Sequence, residues 1–192
     1  VAGRRFGATG RRAPLTVSRT ELLVGGSDEV FRDFIHDFLA FSERVMAVRE
    51  GFGSLIGLTG IEYTVLVSIA HLQARGPVSI NMVARHLHFS GAFITTVTNG
   101  LVRAGMVAKR RDDQDRRRLA VSTTARADRA LAQLAPVQRE VNDLLFRDLG
   151  RAQFRALQKS MESFVEAGDQ ALRLLDYYRA RQPHCKAGDI SI

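Results

Sequence analysis

The hydrophobic period of this chain changes twice between Ser79 and Thr123, and few folds accommodate that change. After Ser79 the apolar residues Val83, Ala84 and Leu87 recur at helical spacing. His88 and Phe89 interrupt them, and Ser90 opens a second helical run to about Ala104. A serine before such a run accepts the free amides of a helix's first turn, so Ser79 and Ser90 are both expected to be N-caps. Gly105 supplies the left-handed residue that ends a helix. Beyond it the pieces MVAKRR and RLAVST are short and β-rich and flank DDQD, which predicts a two-stranded hairpin with a charged tip. Helix, break, helix and charged hairpin together form a winged helix-turn-helix.

The second short helix has two faces. At a helical turn of ~100° per residue, Ile94, Val97 and Leu101 fall on one side. Ala92, Thr95, Thr96, Asn99 and Arg103 fall on the other, with Ser90 at the start. That second face is small and polar, so it can enter a major groove, where Asn suits adenine and a threonine methyl meets the thymine methyl. The chain holds 28 Lys plus Arg against 20 Asp plus Glu, a net charge of +8, which favours an anionic partner. Arg110 and Arg111 end one hairpin strand within reach of phosphates. Arg116, Arg117 and Arg118 lie at or just past the tip, where a narrow minor groove attracts arginine. Asp115, two residues before Arg117, is expected to hold that guanidinium in one pose.

The remainder reads as helix. Ser27 is expected to cap a helix carrying Asp28 and Glu29 in its first turn, with Phe31, Phe34, Ile35, Phe38, Phe41 and Val45 in step and Gly51 and Gly53 ending it. Thr59 and Glu62 form a capping box, with Leu58 and Tyr63 as a hydrophobic staple, for a helix that Pro77 stops. Thr124 caps a long helix that Pro136 should kink and Gly150 should close. The last helix carries Phe154, Leu157, Met161, Phe164, Gly168, Leu172 and Leu175, a coiled-coil-like seam. The expected fold class is mainly α with a small β-hairpin wing. The expected organisation is a basic arm over 1–26, a helical dimerisation region over 27–57 and 124–180, a winged lobe over 58–123 and a tail over 181–192.

Other classes find little support in the residues. No apolar run approaches the ~18 residues of a membrane span and no signal peptide is visible, so no membrane partner is expected. A single cysteine, Cys185, permits no intrachain disulfide and fits a reducing, cytoplasmic setting. His86, His88, His184 and Cys185 lack the spacing of a zinc site, so neither metal nor cofactor is expected. Gly-rich phosphate loops and nucleophile elbows are missing, so the chain is not expected to be an enzyme. The rival reading is a non-specific chromosome-associated protein, which would share the charge but not the Thr/Asn face.

The stretch LTGIEYTVL, and the stretch from Val78 to Ala127, resemble the multiple antibiotic resistance regulator (MarR) family of bacterial transcription factors. Val83-Ala84, Leu87, Ser90, Ile94-Thr95, Leu101 and Gly105 fall on its pattern, and Asp112, Asp115, Arg116 and Arg117 match its wing signature. Thr96 stands where the family often has Arg, and Ala127 where it usually has Gly. The resemblance implies a homodimer with interlocked first and last helices. It implies double-stranded DNA as partner, a pseudo-palindromic operator read in successive major grooves, and repression by default. It further implies release by a small aromatic or phenolic acid. His36, Arg44, Arg49 and His71 are the candidates to meet its carboxylate, and Tyr63 belongs to the aromatic set beside them.

Overall fold

The computed structural model describes residues 13–111 and 119–181. They fall into two compact units divided between Gln138 and Arg139.

The first unit opens with an extended segment tied to a long helix, α1 (Glu29–Leu55). The Ser27 hydroxyl accepts the Glu29 N–H at 3.2 Å, as a capping serine would, but Asp28 occupies the cap position itself. Its carboxylate turns back and is buried. It accepts the Thr16 N–H and hydroxyl, both at 2.7 Å, and pairs with Arg32 at 3.0 Å. Arg32 in turn donates to the Pro14 carbonyl, so the segment is strapped to the first turn of α1.

Gly51 and Gly53 do not end α1, which runs on to Leu55. Gly53 is instead required by close packing against the start of α2 (Gly60–Gln73). A Cβ on Gly53 would sit 2.7 Å from the Thr59 carbonyl oxygen, and one on Gly60 would sit 2.9 Å from the Glu50 backbone nitrogen. The Glu50 carboxylate accepts the Gly60 N–H at 2.6 Å and fixes the crossing. The expected capping box forms: Thr59 Oγ1 accepts the Glu62 N–H at 3.3 Å and Glu62 Oε2 accepts the Thr59 N–H at 3.0 Å.

Helix α2 is the centre of the core. Leu66 and Ile69 are fully buried, and Val83, Ile94, Leu101, Val107 and Val121 belong to the same cluster. Helices α3 (Ile80–Leu87) and α4 (Gly91–Arg103) follow, capped by Ser79 and Ser90 as expected. His88 makes the break between them in a left-handed conformation, φ 54°. Strands β2 (Val107–Arg111) and β3 (Leu119–Thr123) form the wing hairpin. A third strand, β1 (Val78–Ser79), joins the far side of β3, giving the antiparallel order β1-β3-β2. The Gln73 side chain both donates to Thr123 Oγ1 and accepts the Thr123 N–H, closing the end of β3 onto α2.

Helix α5 (Ala125–Leu145) starts on Thr124, whose hydroxyl accepts the Ala127 N–H at 3.3 Å and donates to the Gly105 carbonyl at 2.7 Å. Ala127 is fully buried, so its methyl is accommodated where the family usually has glycine. The helix continues through Pro136.

In the second unit, Gly150 opens a helix where the sequence pattern suggests that it closes one. Its carbonyl accepts the Phe154 N–H and its own N–H donates to Gln153 at 2.8 Å. It therefore precedes α6 (Arg151–Arg181), whereas α5 ends at Leu145. No residue of α6 is buried. Phe154, Phe164, Leu172 and Leu175 of the expected seam are exposed, and Leu157, Met161 and Gly168 are half-buried. Among the described residues, no single helix is long and apolar enough to cross a membrane.

Candidate nucleic-acid interface

The two faces of α4 separate as their spacing requires. Ile94, Val97, Thr98 and Leu101 are buried, while Ala92, Thr96, Asn99 and Arg103 are exposed and Thr95 is half-buried. Ser90 Oγ accepts the Phe93 N–H at 3.2 Å, so this hydroxyl holds the helix start. The Thr95 and Thr96 hydroxyls donate to the carbonyls of Gly91 and Ala92, at 2.7 and 3.2 Å. Their protons are committed to the helix, which leaves methyl groups and acceptor oxygens for any partner. Asn99 and Arg103 are the exposed side chains of this face that carry N–H donors.

Asn99 is engaged from the wing. Lys109, in β2, places its ammonium 2.5 Å from Asn99 Oδ1. Sequence reading misses Lys109, because a contact ten residues away between a helix and a strand leaves no periodic trace. It also misses Phe89 and Phe93, whose rings lie 5.1 Å apart at the start of α4 and are each 41% exposed. Their four-residue spacing is the available signal. Arg110 is exposed on β2, and Arg111 is the last residue of that strand. Asp112, Asp115, Arg116, Arg117 and Arg118 lie outside the described residues, as do the first twelve residues and the tail from 182.

The candidate effector residues do not gather at one point. Arg49 donates to Thr64 Oγ1 at 2.6 Å and its guanidinium lies 5.1 Å from the centre of the Tyr63 ring. Burial lowers the pKa of this arginine, with Tyr63 opposing the shift. The Tyr63 hydroxyl accepts from Gln138 at 2.6 Å, and its ring packs 5.7 Å from Phe52. His71 instead stacks on His86 with ring centres 5.8 Å apart. Desolvation, then the neighbouring His71, Arg75 and His88, lowers the His86 pKa. His36 and Arg44 are exposed on α1, and Arg44 donates to the Ala40 carbonyl. A separate groove of about 320 Å³ is lined by Leu55, Ile56, Met106 and Ala130 together with Arg126, Arg129 and Gln133. Among the described residues, no cluster of His, Cys, Asp and Glu is arranged to hold a metal ion.

A capped helix-turn-helix with a three-stranded wing defines the class as a winged helix-turn-helix protein. Residues 56–118 match the model of the MarR family. No curated protein matches the chain. Solved structures share the fold at low identity. A MarR protein from Peptoclostridium difficile superposes with a TM-score of 0.62 at 14% identity, covering 82% of this chain and 99% of that one. The Staphylococcus aureus MepR–DNA complex gives 0.55 at 13%, covering 78% and 99%. A cysteine-to-serine mutant of Escherichia coli MarR complexed with operator DNA gives 0.57 at 16%, covering 71% and 94%.

Proposed function

We propose that this chain is a sequence-specific DNA-binding transcriptional repressor that acts as a homodimer and is released by a small aromatic acid. The observation that carries the DNA-binding part is the exposed Ala92, Thr96, Asn99 and Arg103 face on a helix capped and backed by a fully buried core. A rigid helix with small side chains and directed donors suits base edges, whereas a coating protein needs only positive charge. The MepR and E. coli MarR structures are described with DNA, which supports the same use of this fold here.

The effector would be an aromatic carboxylate. Arg49 is already engaged by Thr64 and Tyr63, so a carboxylate there must displace the threonine hydroxyl. The groove beside Met106 asks for no such exchange, since Arg126 and Arg129 make no ion pair among the described residues and Leu55, Ile56 and Ala130 offer an apolar floor. That groove abuts the start of the wing, so an occupant there can bias the DNA-binding geometry. Aromatic acids that bind this way raise the melting temperature and release DNA.

The test is fluorescence anisotropy on the chain's own promoter and on random duplex, across a salt series. Asn99→Ala should cost ~1–3 kcal/mol on the promoter and little on random DNA. Arg117→Ala should lower the log–log salt slope by about 1. Asp115→Ala should weaken promoter binding although it adds net positive charge. Equal affinity for both duplexes would leave a non-specific chromosome-associated protein. Tighter binding by Asp115→Ala at every salt concentration would reduce the wing to a charged loop.

A further inference from the structure

We infer that Lys109 sets the base preference of Asn99, and that the two together read guanine instead of adenine. The inference rests on the DNA-reading role proposed above and adds to it the base that is read.

Strand alternation puts Lys109 in place. Val107 is 2% exposed and belongs to the core cluster with Leu101 and Ile94 of α4, so its side of β2 faces that helix. Lys109 is two residues further on, hence on the same side, and its stem carries the ammonium to within 2.5 Å of Asn99 Oδ1. An ammonium has three donors and no acceptor, so the amide atom that faces it is the oxygen. This chemistry removes the usual uncertainty over which way an asparagine amide is turned.

The consequence is a change in what the pair can recognise. Asparagine reads adenine by accepting from N6 with its oxygen while donating to N7. Here the oxygen is turned to the wing, and one of its two lone pairs is taken by the ammonium. The pair then offers the Asn99 NH2 and the other two N–H groups of Lys109, a composite in which donors outnumber acceptors. In the major groove one base presents two adjacent acceptors and no donor of its own, and that base is guanine, through N7 and O6. Adenine would set its N6 donor against this composite. The Thr95 and Thr96 hydroxyl protons are already committed to helix carbonyls, so neither supplies a competing donor on this face.

The experiment is selection of bound duplexes from a pool with a randomised central segment. It uses the full chain unmutated, with Lys109→Met and with Asn99→Ala. Lys109→Met keeps the stem and removes the donors, and Lys109 is only half-buried on a short strand, so the variant should melt with the unmutated protein. The position in each half-site whose preference Asn99→Ala abolishes should be guanine in the unmutated protein, favoured by about tenfold or more. In Lys109→Met that same position should move towards adenine, with every other position unchanged. A lysine that only touches phosphate would instead weaken all sequences alike and lower the salt slope by about 1. That uniform loss would overturn the inference, as would adenine at the Asn99-dependent position of the unmutated protein. A pool from which the unmutated protein enriches nothing would overturn the base-reading role itself and this inference with it.

Discussion

Helix α2 and helix α6 both carry apolar residues at helical spacing, yet the chain treats them in opposite ways. The 14 residues of α2 bury Tyr63, Thr64, Val65, Leu66, Ser68 and Ile69. The 31 residues of α6 bury none, and Leu172 is left 61% exposed. Helix α1 resembles α6 along much of its length, with Val30, Phe34, Phe38, Leu39 and Met46 exposed. Exposed apolar stripes of this extent are common at protein–protein contacts. The winged lobe thus buries a core of its own, whereas each of the two long helices leaves apolar side chains exposed, which the second copy proposed above would cover. Self-sufficiency belongs to the part proposed to read DNA, and dependence to the part proposed to dimerise.

Mutations can break this contrast at either end. The largest effect is expected from Leu172→Asp. An uncompensated buried charge costs about 3–5 kcal/mol, and a twofold interface counts it twice. Light scattering should therefore show a monomer, while the winged lobe keeps its helical signal. A stable monomer of the unmutated protein at micromolar concentration would remove the basis of the comparison. Leu66→Ala tests the other region. Leu66 is fully buried, so its truncation should cost about 2–5 kcal/mol in a thermal or urea melt. The loss should persist at protein concentrations high enough to saturate the dimer.

A subtler test lies on the buried side of α4. Thr98 is fully buried and, among the described residues, its hydroxyl has no hydrogen-bond partner. An unsatisfied buried hydroxyl is penalised by roughly 1–3 kcal/mol, so Thr98→Val, which keeps the shape, should stabilise the lobe by up to about 1–2 kcal/mol. DNA affinity should change little, since the substitution does not touch the exposed face. A destabilised Thr98→Val would mean that the hydroxyl is satisfied in solution.

The smallest expected effect is at the strap on α1. Hydrogen bonds from Thr16, then from Arg32, hold the Asp28 carboxyl well below the usual carboxylate range, against the opposing effect of burial. A carboxylate whose folded pKa is depressed contributes stability above its unfolded pKa, near ~4, and loses it as pH falls from there towards the folded value. Hydrogen exchange at the Thr16 amide should therefore become less protected in acid relative to the core amides. Asp28→Asn should show the weaker protection already at neutral pH.

What can be read from the sequence follows the range of the interactions involved. The caps at Thr59, Ser79, Ser90 and Thr124 are visible, because each acts over three residues and leaves a local signature. The faces of α4 are visible for the same reason. Strand β1 is not, since two residues cannot display a period of two. The Gln73–Thr123 clasp and the Lys109–Asn99 contact join separate elements and leave no pattern in either. Gly53 misleads because glycine marks both helix ends and close approaches, and only the neighbour across the gap distinguishes them; Gly150 misleads because a glycine at a helix end does not say whether the helix starts or stops. The candidate effector residues Arg49, Tyr63 and His71 are suggested by residue type, and type alone does not reveal that His71 stacks on His86.

The crossing of α1 and α2 has a mechanical meaning. Two helices separated by side chains can slide or rock as those side chains change rotamer. At Gly53 and Gly60 there are no such side chains, and backbone meets backbone with the Glu50 carboxylate as a pin. The joint has little play. A torque applied to the C-terminal end of α1 would be passed to α2 as rotation with little absorbed at the elbow, and α2 carries the core against which α4 rests. A small displacement of the long helix would thus be passed on to the exposed face of α4, the face proposed to read DNA.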